Sequence, residues 1–445
     1  MTGDERSTTD ASVAADSGLV LTAGPHQAGE PPDTSATPSP VAGARNSFAL
    51  VAFTALTNLA DGVTKIVLPL LATQLTSSPA QVAGVAITLT LPWLLASLHV
   101  GVLVDRFDRR RLLWLADGAR TLVVVTLAWL YLADGLTMPA LYVGGLVLGV
   151  AEVVALTAAV AMIPAAVPRS GRERTNAWIA GAETVCNEFA GPFVGGLLVA
   201  LGSAIALGAT AVAYVAGALL LVLLVGRFRP VAVTGDEPPK VRRQIVEGLS
   251  FLWRHRLLRF MALALTVLCS AWAVWLALMP LMATQVMRAS PQEYGLMLSM
   301  LGVGGLVGAA TVGWINRLLG QRWALFGDLL GTVVMVGIPA VTTNVVAVSV
   351  AAFLGGMGGV LWTVNSRTIS QALVPDELLG RYNAAARLFS WGAMPVGAAI
   401  GGAVAQLFGL RVTFALFALV AAVLIVPFFV VIRPELLAEA TSAER

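Results

Sequence analysis

Twelve apolar runs, each long enough to cross a membrane, constrain this chain more than any other feature. A helix needs about 20 apolar residues to span the hydrocarbon core of a bilayer. The sequence therefore predicts an all-α integral membrane protein with two groups of six transmembrane helices. The runs lie near 47–75, 80–103, 112–133, 138–163, 174–201, 203–226, 259–287, 292–315, 322–341, 344–371, 379–408 and 411–432.

Composition excludes several classes of protein. The 445 residues are 57% hydrophobic and 12% charged, whereas a soluble domain is about 25% charged. A water-soluble enzyme, a nucleic-acid-binding protein and a disordered chain are all incompatible with so few charges. The three histidines, His26, His99 and His255, have no metal-ligand spacing. We therefore expect no metal site.

The remaining segments predict five regions. Residues 1–44 are rich in Ser, Thr, Pro, Gly and Ala and lack the basic and apolar parts of a signal peptide, which indicates a disordered tail. In the central segment, apolar residues recur at helical spacing from Ile245 to Trp253 between basic ones. Such a helix lies on the inner leaflet or, as the alternative, covers the bundle. The predicted regions are a tail at 1–45, a six-helix bundle at 46–228, a linker at 229–258, a second bundle at 259–433 and a tail at 434–445.

The basic residues predict the orientation of the spans. Cytoplasmic loops carry an excess of Lys and Arg, and the loops on one face of this chain hold almost all of them. The opposite face has only Arg288 and Arg411. We therefore expect both termini and the loops after the even-numbered spans to be cytoplasmic. The basic residues of those loops are Arg106, Arg109, Arg110, Arg111, Arg169, Arg172, Arg174, Arg317 and Arg322.

The two groups of six spans repeat each other. The dipeptide Val-Pro at 167–168 recurs at 374–375, and Asp117 has its counterpart in Asp328. Two parallel repeats predict a pseudo-two-fold axis along the membrane normal, with a substrate site between the halves near the midplane.

The segment 101–112, GVLVDRFDRRRL, resembles the signature between the second and third helices of the major facilitator superfamily. The segments 251–256 and 374–381 are similar to those of its enterobactin-exporter and macrolide-efflux branch, the transmembrane secretion effectors. The resemblance implies twelve helices, alternating access, and export driven by proton entry with no bound cofactor. It also implies a latch that holds the outward-facing state. The chain departs from the signature at Asp108, where glycine is common. The latch candidates are Gly101, Asp105, Arg106, Arg109, Arg110 and Asp117.

The latch has a mechanical rationale and an alternative. Gly101 permits close approach of a neighbouring helix. Asp105 can face the positive end of a helix dipole in the other half, and the arginines can bridge acids such as Asp117. The alternative is that the arginines, Arg110 in particular, only fix orientation.

Charged residues inside the spans are candidates for proton coupling, because few are tolerated there without a role. Asp61 and Lys65 are one helical turn apart, so Asp61 either carries a proton or, as the alternative, forms an ion pair with Lys65 that keeps it ionised. Glu152 has no local basic partner, so it ranks ahead of Asp61 as the protonation site. Glu183 either lines the cavity or pairs with Arg387. Glu188, five residues from Glu183, is not expected to share its face closely, and no acid is expected deep in the second half.

Aromatic and polar side chains on the spans expected to line the cavity favour a bulky amphipathic ligand. We expect a monomer that exports a drug, antibiotic, siderophore or secondary metabolite across the bacterial inner membrane by proton antiport. The alternatives are a proton-coupled importer or facilitator of a metabolite or lipid and, more remotely, a non-transporting scaffold. The cavity candidates are Asn58, Lys65, Trp272, Trp275, Trp362, Asn365, Trp391 and Arg387.

Overall fold

The computed structural model describes residues 40–226, 228 and 241–433, and all regular structure within these ranges is helical. The helices pack in two halves. The first half comprises α1 Pro40–Leu75, α2 Pro79–Leu95, α3 Ser97–Arg106, α4 Arg109–Leu132, α5 Met138–Ala166, α6 Arg169–Ala182, α7 Gly191–Leu201 and α8 Ser203–Leu220. The linker helix α9 Val241–Arg254 precedes the second half, which comprises α10 Arg256–Leu281, α11 Pro291–Val341, α12 Val345–Leu373, α13 Asp376–Ser390, α14 Ala393–Phe408, α15 Leu410–Val423 and α16 Ile425–Val431.

The predicted class, an all-α membrane protein, is confirmed. Within the described residues, ten helical stretches are long and apolar enough to cross a membrane. One break and one merger account for the difference between ten and twelve. The predicted second span is divided at Ala96, after Pro92 inside α2, where proline removes a backbone hydrogen bond. The predicted eighth and ninth spans are continuous in α11, although Gly320 has a non-helical backbone, with φ 81° and ψ 160°. Twelve crossings therefore stay a prediction.

The internal repeat is visible in the backbone. Val167 ends α5 in an extended conformation and Pro168 precedes α6, with φ −55° and ψ 153°. Val374 and Pro375 do the same between α12 and α13, where Pro375 has φ −54° and ψ 144°. The same dipeptide thus makes the same bend in each half.

The predicted tails and linker lie partly outside the described residues, which exclude 1–39, 227, 229–240 and 434–445. At the boundary between the predicted tail and the first bundle, α1 begins at Pro40. Residues 40–45, assigned to the tail from composition, therefore form the first turns of a helix, because proline fits the first helical turn.

Helix α9 covers part of the second half. Leu252 is fully buried, and the Trp253 ring stacks on Phe389 with 6.4 Å between ring centroids. Arg381 Nη1 lies 2.5 Å from Glu247 Oε2. These contacts favour the covering helix of the two alternatives.

Asp108 caps the amino terminus of α4. Its Oδ1 accepts hydrogen bonds from the backbone N–H groups of Arg110 and Arg111, at 3.0 and 3.2 Å. Aspartate is among the best residues for this position, which explains the departure from glycine at this point of the signature.

We expect Asp108→Ala to lower the free energy of unfolding by about 1 kcal/mol, and Asp108→Gly by only a few tenths. Thermal melting of the purified protein in detergent measures both. Equal melting temperatures for the two variants would contradict a capping role.

Candidate functional site

A cavity of about 520 Å³ lies between the two halves. It is lined from the first half by α1, α2, the segment Glu183–Ala190 and single residues of α6 and α7, and from the second half by α10, α11, α12, α13 and α14. Its volume is typical of small-molecule sites. One end of the molecule carries the Arg109–Arg111 run and Arg172, and we call it the arginine-rich end. The cavity reaches this end at Gln371 and Asn383, two exposed lining residues.

The opposite, arginine-poor end is closed by direct helix contact between the halves. Helix α7 packs on the first part of α11 so closely that a Cβ on Gly196 would overlap the carbonyl oxygen of Gly295, and the reverse also holds. Ser78 before α2 donates a 2.9 Å hydrogen bond to Gln406 on α14. The cavity can therefore be entered only from the arginine-rich end of the molecule.

Six of the predicted site residues line this cavity, and three cavity candidates do not. Trp275 and Asn365 are fully buried in the second half, where Asn365 Nδ2 donates to the Leu361 carbonyl at 2.7 Å. Asn58 is buried behind the wall. These three placements were wrong because helical spacing alone does not tell which face of a span meets the cavity. The lining residues are Lys65, Glu183, Trp272, Trp362, Arg387 and Trp391.

A polar cluster joins α1, α5 and the segment Glu183–Ala190. Lys65 Nζ lies 2.8 Å from Glu152 Oε1 and 2.9 Å from Asn187 Oδ1. Asn187 Nδ2 donates to Glu152 Oε1 at 2.8 Å and to Asn58 Oδ1 at 3.0 Å. Glu152 has no basic partner nearby in its own helix, as expected, but Lys65 of α1 pairs with it, so the ranking that assumed an unpaired Glu152 loses its basis.

A second cluster lies deeper in the first half. Arg120 on α4 forms ion pairs with Asp61 Oδ2 at 3.0 Å and with Asp117 Oδ1 at 3.1 Å. The Tyr214 hydroxyl donates to Asp61 Oδ1 at 2.7 Å. All four side chains are buried. The predicted Asp61–Lys65 pair was wrong, since Lys65 turns toward α5 and Arg120 takes its place.

The segment Glu183–Ala190 is π-helical. In a π-helix hydrogen bonds join residue i to residue i+5, so residues five apart stand one turn above each other. Glu183 and Glu188 therefore both line the cavity, contrary to the expectation from α-helical spacing. Glu183 and Arg387 both line the cavity wall, but no ion pair joins these two described residues within 4.0 Å.

The second half also holds a buried acid. Asp328 on α11 is 3% exposed and lines the cavity. The expectation that no acid lies deep in this half concerned depth along a span. Asp328 stands near the start of its predicted span, as Asp117 does, and its burial comes from packing between helices.

The latch is only partly described. A Cβ on Gly101 would meet nothing within 4 Å, since α3 packs mainly against α5 of its own half; the expected close approach is absent here. Arg106 is exposed, and Arg109 and Arg110 are half-buried. Asp117 pairs with Arg120 rather than with these arginines. The Asp105 side chain lies outside the described part of the chain, so the latch stays a prediction.

Sequence reasoning missed three residues of the two clusters: Arg120, Asn187 and Tyr214. Arg120 interrupts the apolar run 112–133, and a charge in that position was the available signal. Asn187, between Glu183 and Glu188, was a weaker one.

Two helical halves around a cavity that is closed at one end are the architecture of a secondary transporter, and the match to a family model together with the curated relatives identifies the chain as a transporter of the major facilitator superfamily, not an enzyme. Residues 39–444 match the transmembrane secretion effector family, and the chain belongs to it.

Curated relatives carry the names of two pumps. The chain is 28% identical over 384 residues to the multidrug efflux pump Tap of Mycolicibacterium fortuitum, covering 83% of this chain and 92% of the relative. It is 28% identical over 331 residues to the enterobactin exporter EntS of Shigella boydii, covering 72% and 76%.

Two solved structures share the fold. The nucleoside transporter NupG aligns with a TM-score of 0.64 at 12% identity, covering 87% of this chain and 98% of that one. A bacterial homologue of the human lysosomal transporter Spinster, in an inward-facing and unoccupied conformation, aligns with a TM-score of 0.63 at 14% identity, covering 90% and 97%.

Proposed function

We propose that this chain exports small amphipathic compounds across the bacterial cytoplasmic membrane by proton antiport with alternating access. The observation that carries the proposal is the cavity between the halves, closed at one end and walled by both aromatic and charged side chains. The relatives named as efflux pump and exporter support the direction of transport.

The cavity suits amphipathic cargo. Trp272, Trp362 and Trp391 supply flat apolar surfaces, and Trp391 stacks on Trp93 with 5.3 Å between ring centroids. Lys65 Nζ lies 5.7 Å above the same Trp391 ring, within cation–π range. Apolar walls with a few polar groups are the usual form of such sites.

The buried clusters support proton coupling by their charge count. Asp61 and Asp117 share the single guanidinium of Arg120, which leaves one negative charge over when both acids are ionised. An unbalanced charge inside a membrane is costly, so a proton can supply the missing positive charge. Glu152 is balanced by Lys65 at the cavity wall, so it takes up a proton only when this ion pair is broken. Antiport then requires the pair to re-form, with release of the proton, before cargo is carried outward.

The predicted orientation of the spans identifies which state of the transport cycle this conformation represents. With the arginine-rich end in the cytoplasm, the cavity is open inward and sealed outward. Export then requires the helices at the arginine-poor end to separate while the arginine-rich end closes.

Purified protein in vesicles with an acidic interior tests the proposal. Cationic ethidium, neutral Nile red and anionic anilinonaphthalene sulfonate serve as fluorescent cargo. We expect at least one dye to accumulate only while the pH gradient lasts. Glu152→Gln and Asp61→Asn should each lower that accumulation by at least about tenfold, since both acids lie in the proposed proton path.

Glu173→Gln is the matched control, because Glu173 is an exposed glutamate on α6. It should accumulate dye as the parent does. Dye movement that is identical with and without the gradient would indicate a facilitator and overturn the proposal. Unchanged accumulation in both acid variants would remove these residues from the proton path.

A further inference from the structure

Asp328 is a buried acid without a basic partner. Its carboxylate accepts one hydrogen bond, from the Thr332 hydroxyl at 3.4 Å. No Lys, Arg or His of the described residues lies within 4.0 Å of it. Burying a carboxylate without a charged partner is unfavourable, so a cation from outside the protein would stabilise Asp328 by binding beside it.

The first half shows what Asp328 lacks. Asp117, its counterpart at an offset of 211, is buried against Arg120 and does not line the cavity. The same offset places Gly331 where Arg120 would be. The second half has thus kept the acid without a cation of its own, and it presents that acid to the cavity.

The surroundings of Asp328 suit an organic cation. The Trp272 indole N–H donates to Thr332 at 3.3 Å, which joins this ring to the acid through one hydroxyl. Trp362 also lines the cavity, and its buried indole nitrogen has no hydrogen-bond partner. Glu188 adds a second carboxylate to the lining. Aromatic faces and carboxylates together attract positively charged groups.

The basic side chains that line the cavity do not form an ion pair with Asp328. Lys65 is held by Glu152 and Asn187. Arg367 and Arg387 are exposed in the lining, so water screens their charges more than it screens the charge of buried Asp328. The least screened charge in the wall is therefore negative.

We infer that the cavity selects amphipathic monovalent cations, and that the positive group of the cargo binds at Asp328 with Glu188 as the second acid. This inference rests on the proposed function, which leaves the charge of the cargo open. It places the principal recognition acid, Asp328, in the second half, with Glu188 of the first half beside the cavity as its partner, and leaves the proposed proton path to Asp61, Asp117 and Glu152.

Equilibrium binding to the purified full-length protein in detergent tests the inference. Tetraphenylphosphonium and tetraphenylborate are nearly the same size and opposite in charge. We expect the cation to bind at least about tenfold more tightly than the anion. Asp328→Asn should weaken cation binding at least about tenfold and leave anion binding within about twofold, because only the cation loses a charge partner.

Two further variants keep the test decisive. Asp328→Glu retains the charge and should keep the preference for the cation. Glu188→Gln should weaken cation binding by a smaller factor, and it serves as the deciding variant if Asp328→Asn does not fold. Asp134→Asn is the matched control, because Asp134 lies in the turn after α4, where φ is 52°, and does not line the cavity.

Parental cation binding in both acid variants would overturn the inference, as would an equal loss for both ions, which indicates a structural role. Different results would contradict the proposed function and the inference about cargo charge. Selective cation binding without gradient-driven transport contradicts the proposed function alone. Transport with no preference between the two ions contradicts only the inference.

Discussion

Arg120→Met is expected to yield little folded protein. The substitution removes the only cation that pairs with Asp61 and Asp117 within the described residues. Removing one partner of a buried ion pair lowers the free energy of unfolding by about 3–5 kcal/mol, a large share of the 5–15 kcal/mol that is typical of a protein. Size-exclusion profiles and thermal melting in detergent measure the loss.

The triple variant Asp61→Asn, Asp117→Asn, Arg120→Met separates stability from coupling. Neutral groups of similar size can replace a buried ion pair with little loss, so folding should return. Gradient-driven dye accumulation should not, because the acids of the proposed proton path are gone. Arg317→Met, at an exposed arginine on α11, should change stability by less than about 0.5 kcal/mol. An Arg120→Met protein as stable as this control would contradict the role of the ion pairs.

Gly295→Leu is expected to prevent closure of the arginine-poor end. A side chain at this position would overlap the carbonyl oxygen of Gly196 on α7, and backbone atoms cannot move aside cheaply. The population should shift away from the closed form, and transport should fall more than about tenfold, because the cycle needs both forms.

Disulfide trapping measures this shift. Ser78 and Gln406 are in hydrogen-bond contact across the closed end, so cysteines at both positions should cross-link readily in the parent and poorly in Gly295→Leu. Gly208→Leu is the matched control, because a Cβ there would meet nothing within 4 Å. Equal cross-linking in all three proteins would show that contact between these glycines does not control closure.

Much of the fold could be predicted because it follows from local sequence. Apolar runs of membrane length mark the helices, and the recurrence of Val-Pro at 374–375 marks the repeat. The exceptions are the places where backbone geometry departs from the standard helix. Gly320 and the π-helical segment Glu183–Ala190 leave no trace in a pattern of apolar residues.

The site was less predictable because its pairings join distant parts of the chain. Lys65 was paired with Asp61 by spacing along one helix, yet its partner Glu152 is on α5. Arg120 was overlooked although its position in an apolar run was visible. Sequence identifies which helices carry charges, whereas the choice among possible partners depends on how those helices rotate and pack.

The glycine contact at the closed end has an energetic consequence. Of the ion pairs between described residues, none joins the two halves, and the closed end is held by backbone packing and uncharged hydrogen bonds. Such contacts are indifferent to ionic strength, whereas interactions between exposed charges weaken as salt is added. The arginine-poor end should therefore stay closed equally well at low and at high salt concentration.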